Sequence, residues 1–483
     1  MLNKKRHTER ERNRERETEK MGSSSETQIL VLPYPVQGHI NPMLQFSKRL
    51  SSKGLNITLI TTTSISTTLQ LNLHPTSTST PIKTVSISDG TDKKDHSETY
   101  EAEILRFKTA VSQTLAQLIQ TQLTTSSGTK VLVYDSVIPW ALDIAHKFGL
   151  RGACFFTQPC SVCAIYYHLH EGEFKVPLDL DQSGVVSLPA LPGIGFDDMP
   201  SFVSDMGSYP AMLGLLVNQF SNFRKADWIL FNTFDKLEEQ IVKWMASQRS
   251  SIKTIGPTIP SKFLDKRLED DKDYGLSLFK PSVEACMKWL DTKPKASVVY
   301  ASFGSLASLS EAQMEEIAWG LKNSNYYFLW VVRSSEQGKL PSNFIDETSS
   351  EKKGLIVNWC SQLEVLAHQA IGCFMTHCGW NSTLEALSLG VPMVAMPQWS
   401  DQMTNTKFVV DLWRTGVRVK VNDKGIIGKE EIETRIREVM EGERGSELRK
   451  NAVRWKELAK EAVDEGGSSD TNIEEFVSEI LNA

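Results

Sequence analysis

Seven consecutive residues, Thr376-His-Cys-Gly-Trp-Asn-Ser382, carry the side chains of this sequence best suited to holding a charged ligand. His377, Asn381 and Ser382 supply donors, and Gly379 lets the backbone approach a ligand closely. The segment lies between an apolar run at 371–375 and a helical pattern opening near Asn381 or Ser382, with a second apolar run at 392–396, which reads as a βαβ unit. A strand-to-helix turn there aims backbone N–H groups and the positive end of a helix dipole at the carboxyl edge of a parallel sheet, a place that attracts phosphate. A purely structural reading also fits: Ser382 followed by Glu385 ahead of an apolar run is a capping box and needs no ligand.

A second constellation is His39 with Asp135. The run 28–32 reads as a strand, followed by the loop Tyr34-Pro-Val-Gln-Gly-His39 and a helix expected to open at Asn41 as N-cap, with Pro42 in its first position and Met43, Phe46 and Leu50 on one face. His39 then sits just before a helix N-terminus at the end of a strand, where open α/β sheets bind ligands, although a lone histidine there is equally compatible with a structural or solvated role. Asp135 ends a strand at 131–134, on the same sheet edge, and local pattern alone also allows a plain helix cap. The loop after the first strand lacks the glycines of a dinucleotide fingerprint, which argues against a nicotinamide-dependent dehydrogenase.

The elements that must position these residues form two doubly wound halves, as a chain of 483 residues requires. Strand and helix patterns alternate to 226–232 and 235–245. A Pro- and charge-rich connection follows, and the alternation resumes with a helix at 283–290, strands at 297–302, 328–332 and 354–357, and helices near 429–441 and 446–463. The expected organisation is a disordered extension at 1–25, a first domain at 26–258, a linker at 259–281, a second domain at 282–463 and a closing helix at 464–483.

Composition narrows the function. The chain is 40% hydrophobic and 23% charged with a net charge of −6, which argues against a nucleic-acid partner. Seven cysteines, an odd number, suit a reducing compartment, and Cys160-Ser-Val-Cys163 reads as two packed thiols. Residues 1–20 contain almost nothing apolar and five Glu, so they are neither a signal nor a transit peptide. No run is long and apolar enough to insert in a membrane, and a cytoplasmic protein is expected. Asp179-Leu-Asp181 is formally a metal-binding triplet, but it lies in a polar loop and reads as that.

The 44 residues from Trp359 to Gln402 closely resemble the nucleotide-sugar signature of plant family 1 UDP-glycosyltransferases acting on small molecules. The match holds at Trp359, Gln362, the HCGWNS turn, Glu385, the strand Gly390-Val-Pro-Met-Val-Ala-Met-Pro397, and Asp401-Gln402. VLPYPVQGHINP resembles the family's N-terminal motif, whose His is the general base, and YDSVIPW the segment supplying the Asp that orients it. The resemblance implies two facing Rossmann-like domains of the GT-B type. It implies that Trp359 stacks on uracil, Gln362 lies near base or ribose, and Glu385 accepts from the ribose hydroxyls. His377, Trp380, Asn381, Ser382 and Ser305 would hold the diphosphate, and Asp401, Gln402 and Thr157 the sugar. Trp380 and Gln402 go with UDP-glucose. His39 would serve as base and Asp135 would hold its tautomer.

The implied enzyme is an inverting, metal-independent glucosyltransferase that needs no cofactor beyond its donor UDP-glucose and acts as a monomer. The acceptor is expected to be small and hydrophobic, bound by 166–212 with loops near Tyr34 and Ile87. YDSVIPW, DKLE and YGLSLFKP resemble a subgroup acting on salicylate and other carboxylates, thiohydroximates, and triterpenoid or steroid alcohols. The apolar middle region favours a steroid or terpenoid alcohol, with phenolics and small carboxylic acids as the alternative. A non-catalytic nucleotide-sugar binder would not need a base at position 39, and a hydrolase or epimerase on the same fold fits the apolar region poorly.

Overall fold

The apolar runs fold into two parallel sheets in a computed structural model that describes residues 27–482 apart from 73–81, 94–97, 126–127, 179–183, 206, 277 and 279–281. The extension at 1–25 and the triplet Asp179-Leu-Asp181 lie outside the described residues. The strands of the first half are β1 (Gln28–Leu32), β2 (Asn56–Thr62), β3 (Lys83–Ile87), β4 (Thr129–Asp135), β5 (Arg151–Phe156), a separate two-residue hairpin of β6 (Val185–Val186) and β7 (Ile194–Gly195), then β8 (Trp228–Phe231) and β9 (Ile252–Thr254). Those of the second half are β10 (Val298–Ser302), β11 (Tyr327–Val331), β12 (Gly354–Val357), β13 (Ile371–Thr376), β14 (Met393–Ala395) and β15 (Gly416–Arg418).

The sheet orders are β3-β2-β1-β4-β5-β8-β9 and β12-β11-β10-β13-β14-β15. In each, the chain winds outward in one direction and then reverses, so a crevice opens at the carboxyl ends of β1 and β4 and again at those of β10 and β13. The strands read as continuous apolar runs because both faces are covered. Ile29 and Val31 of β1 enter one core with Phe46 and Phe476, while Leu30 and Leu32, pointing the other way, join a larger core that continues into the second half through Trp380 and Trp413.

Five helices matter for the site: α1 (Gln37–Ser52), α2 (Cys160–His170), α3 (Trp380–Leu389), α4 (Gln402–Lys407) and α5 (Ser468–Leu481). Helix α1 opens five residues before the expected start. Val36 is its cap, extended at φ −133° and ψ 150°, and its carbonyl accepts the N–H groups of His39 and Ile40 at 3.0 Å each. Asn41 is not the cap because its side-chain oxygen is taken by the Gln37 amide. His39 therefore lies inside the first turn, and Pro42 lies inside the helix, where it removes the N–H that would have bonded the Gly38 carbonyl.

Two further expectations give way to side-chain commitments. Helix α3 starts at Trp380 behind Gly379, which caps without a side chain, so Ser382 and Glu385 sit within the helix and form no capping box. The helix expected at 235–245 begins only at Glu239, because the Glu238 carboxylate turns away to accept the N–H groups of Cys160 (2.9 Å) and Ser161 (2.7 Å) at the start of α2. That carboxylate caps the helix carrying Cys160 and Cys163, both fully buried, with thiol pKa values pushed well above the ordinary range by burial.

The connection between the sheets is a strap bound across α1. Buried Asp271 pairs with Lys48 at 3.0 Å and accepts the Ser261 N–H at 2.7 Å; Arg49 pairs with Asp265 at 2.6 Å. Both partners of the first pair are nearly inaccessible, so removing one would leave an uncompensated buried charge, a loss of about 3–5 kcal/mol. Helix α5 closes onto the first sheet. Phe476 lies tilted against Phe46 (5.9 Å) and edge-on to Trp228 (5.1 Å), and Asn472 donates to the Thr254 carbonyl at 2.9 Å.

Candidate active site

The pairing of β1 with β4 brings His39 and Asp135 together, since Leu32 stands opposite Tyr134 in the ladder. His39 Nδ1 lies 2.7 Å from Asp135 Oδ2, and the Thr157 hydroxyl, at the end of β5, is 3.1 Å from the same nitrogen. Asp135 is fully buried and its carboxylate also accepts the N–H groups of Tyr34 and Val137, each at 3.2 Å. With Nδ1 committed to the carboxylate, Nε2 is the nitrogen that can accept a proton. Burial alone would lower the imidazole pKa, but the charge and hydrogen bond of Asp135, with a smaller pull from Asp401, outweigh it and raise the pKa above its ordinary value.

Across the cleft, the pairing of Ser302 with Thr376 sets the loops after β10 and β13 side by side. His377 is wedged between two glycines: a Cβ on Gly304 would come within 2.7 Å of its Nε2, and one on Gly379 within 2.6 Å. Gly304 also has φ +76°, where a side chain is strained. Burial pushes the His377 pKa down to about 4 despite a hydrogen bond to the Ser302 carbonyl, so the ring is a neutral donor at physiological pH. The loop holding Ser305 is pinned by Arg333, which donates to the carbonyls of Ser305 (2.6 Å) and Ala307. Arg333 was not among the residues expected from sequence; its only local signal is an arginine just past an apolar strand.

Glu385 is 4% exposed; it accepts the Tyr274 hydroxyl at 2.8 Å and the Gln362 amide at 2.7 Å, and Gln362 also donates to Ser382 at 2.9 Å. Burial pushes the Glu385 pKa up to about 7, moderated by the Gln362 and Tyr274 hydrogen bonds. Asp401 is likewise raised by burial and accepts the Asn405 amide at 2.7 Å, and Gln402 folds back so that its carbonyl accepts the Gln398 and Trp399 N–H groups. Two signature residues bridge the halves. The Trp380 indole donates to the Asn232 carbonyl at 2.8 Å, and the Asn381 amide donates to the Gly38 carbonyl at 2.7 Å, the one Pro42 leaves without a helical partner. A third bridge joins Ser201 and Ser400, whose backbone groups and the Ser201 hydroxyl exchange two bonds of 2.9 and 2.6 Å.

All the candidate side chains except Asp135 line one cleft of about 670 Å³ between the halves; Asp135 stands behind His39. Within it Gln362 sits on Glu385, and Thr157 and Tyr34 lie beside His39; Tyr34, Val137, Phe202, Met212, Leu215 and Leu216 give the cleft apolar surface. Of the region 166–212, Phe202 and Met212 reach the cleft, as does the loop at Tyr34, whereas no described residue near Ile87 lines it. Residues Asp273 to Leu276 of the strap do line it, which their sequence did not suggest.

Residues 267–462 match the family described as UDP-glucoronosyl and UDP-glucosyl transferase, and residues 25–260 match the glycosyltransferase N-terminal domain. Mogroside I-E synthase of Siraitia grosvenorii is 49% identical over 453 residues, 94% of this chain and 98% of that protein. The chain belongs to the UDP-glycosyltransferase family. UDP-glucosyltransferase 45 of Panax ginseng is 48% identical over 95% of this chain and 99% of its own length. Os79 from O. sativa, solved in complex with UDP, superposes with a TM-score of 0.86 at 42% identity, covering 94% of this chain and 100% of that one. The same protein in complex with U2F and trichothecene superposes at 0.83 with 41% identity and the same coverage. This UDP-glycosyltransferase thus has the GT-B arrangement of two Rossmann-like domains and uses a UDP-sugar donor. Among the described residues no helix is long and apolar enough to cross a membrane, and no group of three His, Cys, Asp or Glu comes together to hold a metal ion.

Proposed function

We propose that this enzyme is an inverting O-glucosyltransferase that moves glucose from UDP-glucose to a hydroxyl of a bulky hydrophobic acceptor, a steroid or terpenoid alcohol, and does so without a metal ion as a cytoplasmic monomer. The reading divides the chain into an acceptor domain at 26–258 and a donor domain at 282–463. The observation that carries it is the His39–Asp135 pair at 2.7 Å on the cleft wall beside an apolar surface. His39 Nε2 takes the acceptor proton, and the Asp135 carboxylate fixes the tautomer and balances the imidazolium that forms. The acceptor oxygen attacks the anomeric carbon from the face opposite UDP, turning an α-linked donor into a β-glucoside.

In the same reading the negative charge on departing UDP meets the single N–H of His377, released from the Ser302 carbonyl, together with Ser382, the Ser305 loop and the N-terminus of α3, with Asn381 giving its second N–H to the diphosphate while the first stays on Gly38. Trp359 stacks on uracil, Gln362 and Glu385 hold the ribose, and Asp401, Gln402 and Thr157 meet the sugar. Trp380 and Gln402 favour glucose, in keeping with the relative named as a glucosyltransferase. The acceptor class is supported by the apolar wall and by relatives named for mogroside or solved with trichothecene.

UDP release from UDP-glucose, measured in chelator with steroid and terpenoid alcohols beside phenolics and aromatic acids, tests the reading. Turnover is expected with the polycyclic alcohols, falling about 10²–10⁴-fold in His39→Ala while UDP binding stays within a few-fold of the native chain. Turnover only with small acids would replace the acceptor class, and tight UDP-glucose binding with no turnover on any acceptor would favour a non-catalytic binder.

A further inference from the structure

We propose that Tyr274, in the strap between the two domains, is a positioning residue for nucleotide recognition: its phenol holds the Glu385 carboxylate in the orientation that receives the 2′- and 3′-hydroxyls of the ribose. The proposal rests on the reading of Glu385 as the ribose acceptor and extends it to a residue outside the signature. A carboxylate offers about four acceptor positions. Tyr274 occupies one on Oε1 and Gln362 one on Oε2, so each oxygen of this cleft-lining carboxylate keeps an acceptor position, as many as a vicinal diol needs.

The electrostatics make the phenol more than packing. The titratable groups facing Glu385 are Tyr274 from the strap, Tyr300 from β10 and Cys360 after β12. Among the described residues no cation pairs with it. Its charge is therefore sustained by two neutral donors, and burial already brings its pKa to about 7. Burial and the neighbouring Glu385 raise the Tyr274 phenol well above its ordinary value, so it remains a donor throughout the working pH range. The strap that carries Tyr274 is held two residues before the base. The Gln37 side chain accepts the Leu278 N–H at 2.7 Å and donates to the Leu276 carbonyl at 3.2 Å. Helix α1 thus anchors the strap just past the tyrosine.

The test compares KM for UDP-glucose and for its 2′-deoxyribose analogue, with the full chain and Tyr274→Phe, between pH 6 and 8.5. In the variant the UDP-glucose KM is expected to rise about five- to tenfold with kcat within about twofold. The preference for ribose over deoxyribose should fall, and raising the pH should recover part of the loss by restoring the carboxylate. These KM ratios do not depend on the fraction of active protein; if the phenylalanine variant fails to fold, Tyr274→Met, a flexible apolar filler without the hydroxyl, is read the same way. An unchanged KM, or an equal rise for both nucleotides at every pH, would overturn the proposal. Glu385→Gln separates the two layers: if it leaves the ribose preference intact, the ribose reading of Glu385 is wrong, whereas if it abolishes the preference and Tyr274→Phe does not, only the role of Tyr274 is lost.

Discussion

His39 and His377 stand at matching places on the two facing sheets, each just past a strand that borders the point where the winding reverses, yet their environments set them to opposite tasks. A fully buried carboxylate lies 2.7 Å from His39 and raises its pKa; two glycines and a carbonyl surround His377, and burial lowers its pKa to about 4. The imidazole with a counter-charge can take up a proton and hold it. The one without stays neutral, with one N–H to donate and one nitrogen that accepts. The difference lies in what each neighbouring strand delivers: β4 ends in Asp135, while the loop after β10 supplies Gly304.

The most damaging way to break this contrast is to make the first histidine resemble the second. Asp135→Asn keeps the size of the partner but removes its charge and lets the imidazole settle in the wrong tautomer, so kcat should fall about 10²–10⁴-fold. The pH profile carries the sign. His39 must be neutral to act as base, so activity rises with pH through its pKa; Asp135 raises that pKa, and its loss should move the acid limb of kcat/KM to lower pH while the plateau drops. A limb that stays in place would show that the Asp135 charge does not govern His39.

His377 sharpens the contrast from the other side. With a pKa near 4 it carries no charge between pH 5.5 and 8, so it should add no pH dependence to UDP affinity in that interval. Calorimetry should give a loss of about threefold for His377→Gln, which retains an N–H donor, and about tenfold or more for His377→Ala. A titration of UDP binding near pH 6.5 that disappears in His377→Gln would mean that the ring binds as a cation and that the two histidines are alike.

Much of the framework around this cleft was legible because its determinants are local. The strand, turn and helix around 371–389, and the strand leading to His39, follow from apolar runs and the polar turns between them, and the resemblance of 359–402 supplied the residues proposed to hold the donor. What pattern could not decide was how a versatile side chain is spent. Asp135 was open between helix cap and dyad; it pairs with His39, and its other oxygen closes the turn at the Val137 N–H, while the helix that follows is capped by Pro139 without a side chain. Ser382 and Glu385 fit a capping box on paper, but Gln362 and Tyr274, far away in sequence, claim them. The strap was hidden for the same reason. Its Pro- and charge-rich composition reads as a free connection, while its charges pair with Lys48 and Arg49 more than 200 residues earlier, a relation no local period records.

The smallest predicted effect concerns the joint between the two histidine regions. Pro42 lacks the N–H that would bond the Gly38 carbonyl, and Asn381 of the second half takes that carbonyl instead. Pro42→Ala restores a helical donor at the favourable end of the propensity scale, so α1 should become more stable and Tm should rise. The restored bond competes with Asn381, however, and a side chain less firmly tied to the residue beside His39 should hold the diphosphate less well, raising the UDP-glucose KM about two- to threefold with kcat nearly unchanged. A higher Tm with an unaltered KM would mean that Asn381 is positioned by the donor domain alone. A lower Tm would mean that the carbonyl opened by the proline gives more stability to the joint than the proline removes from the helix.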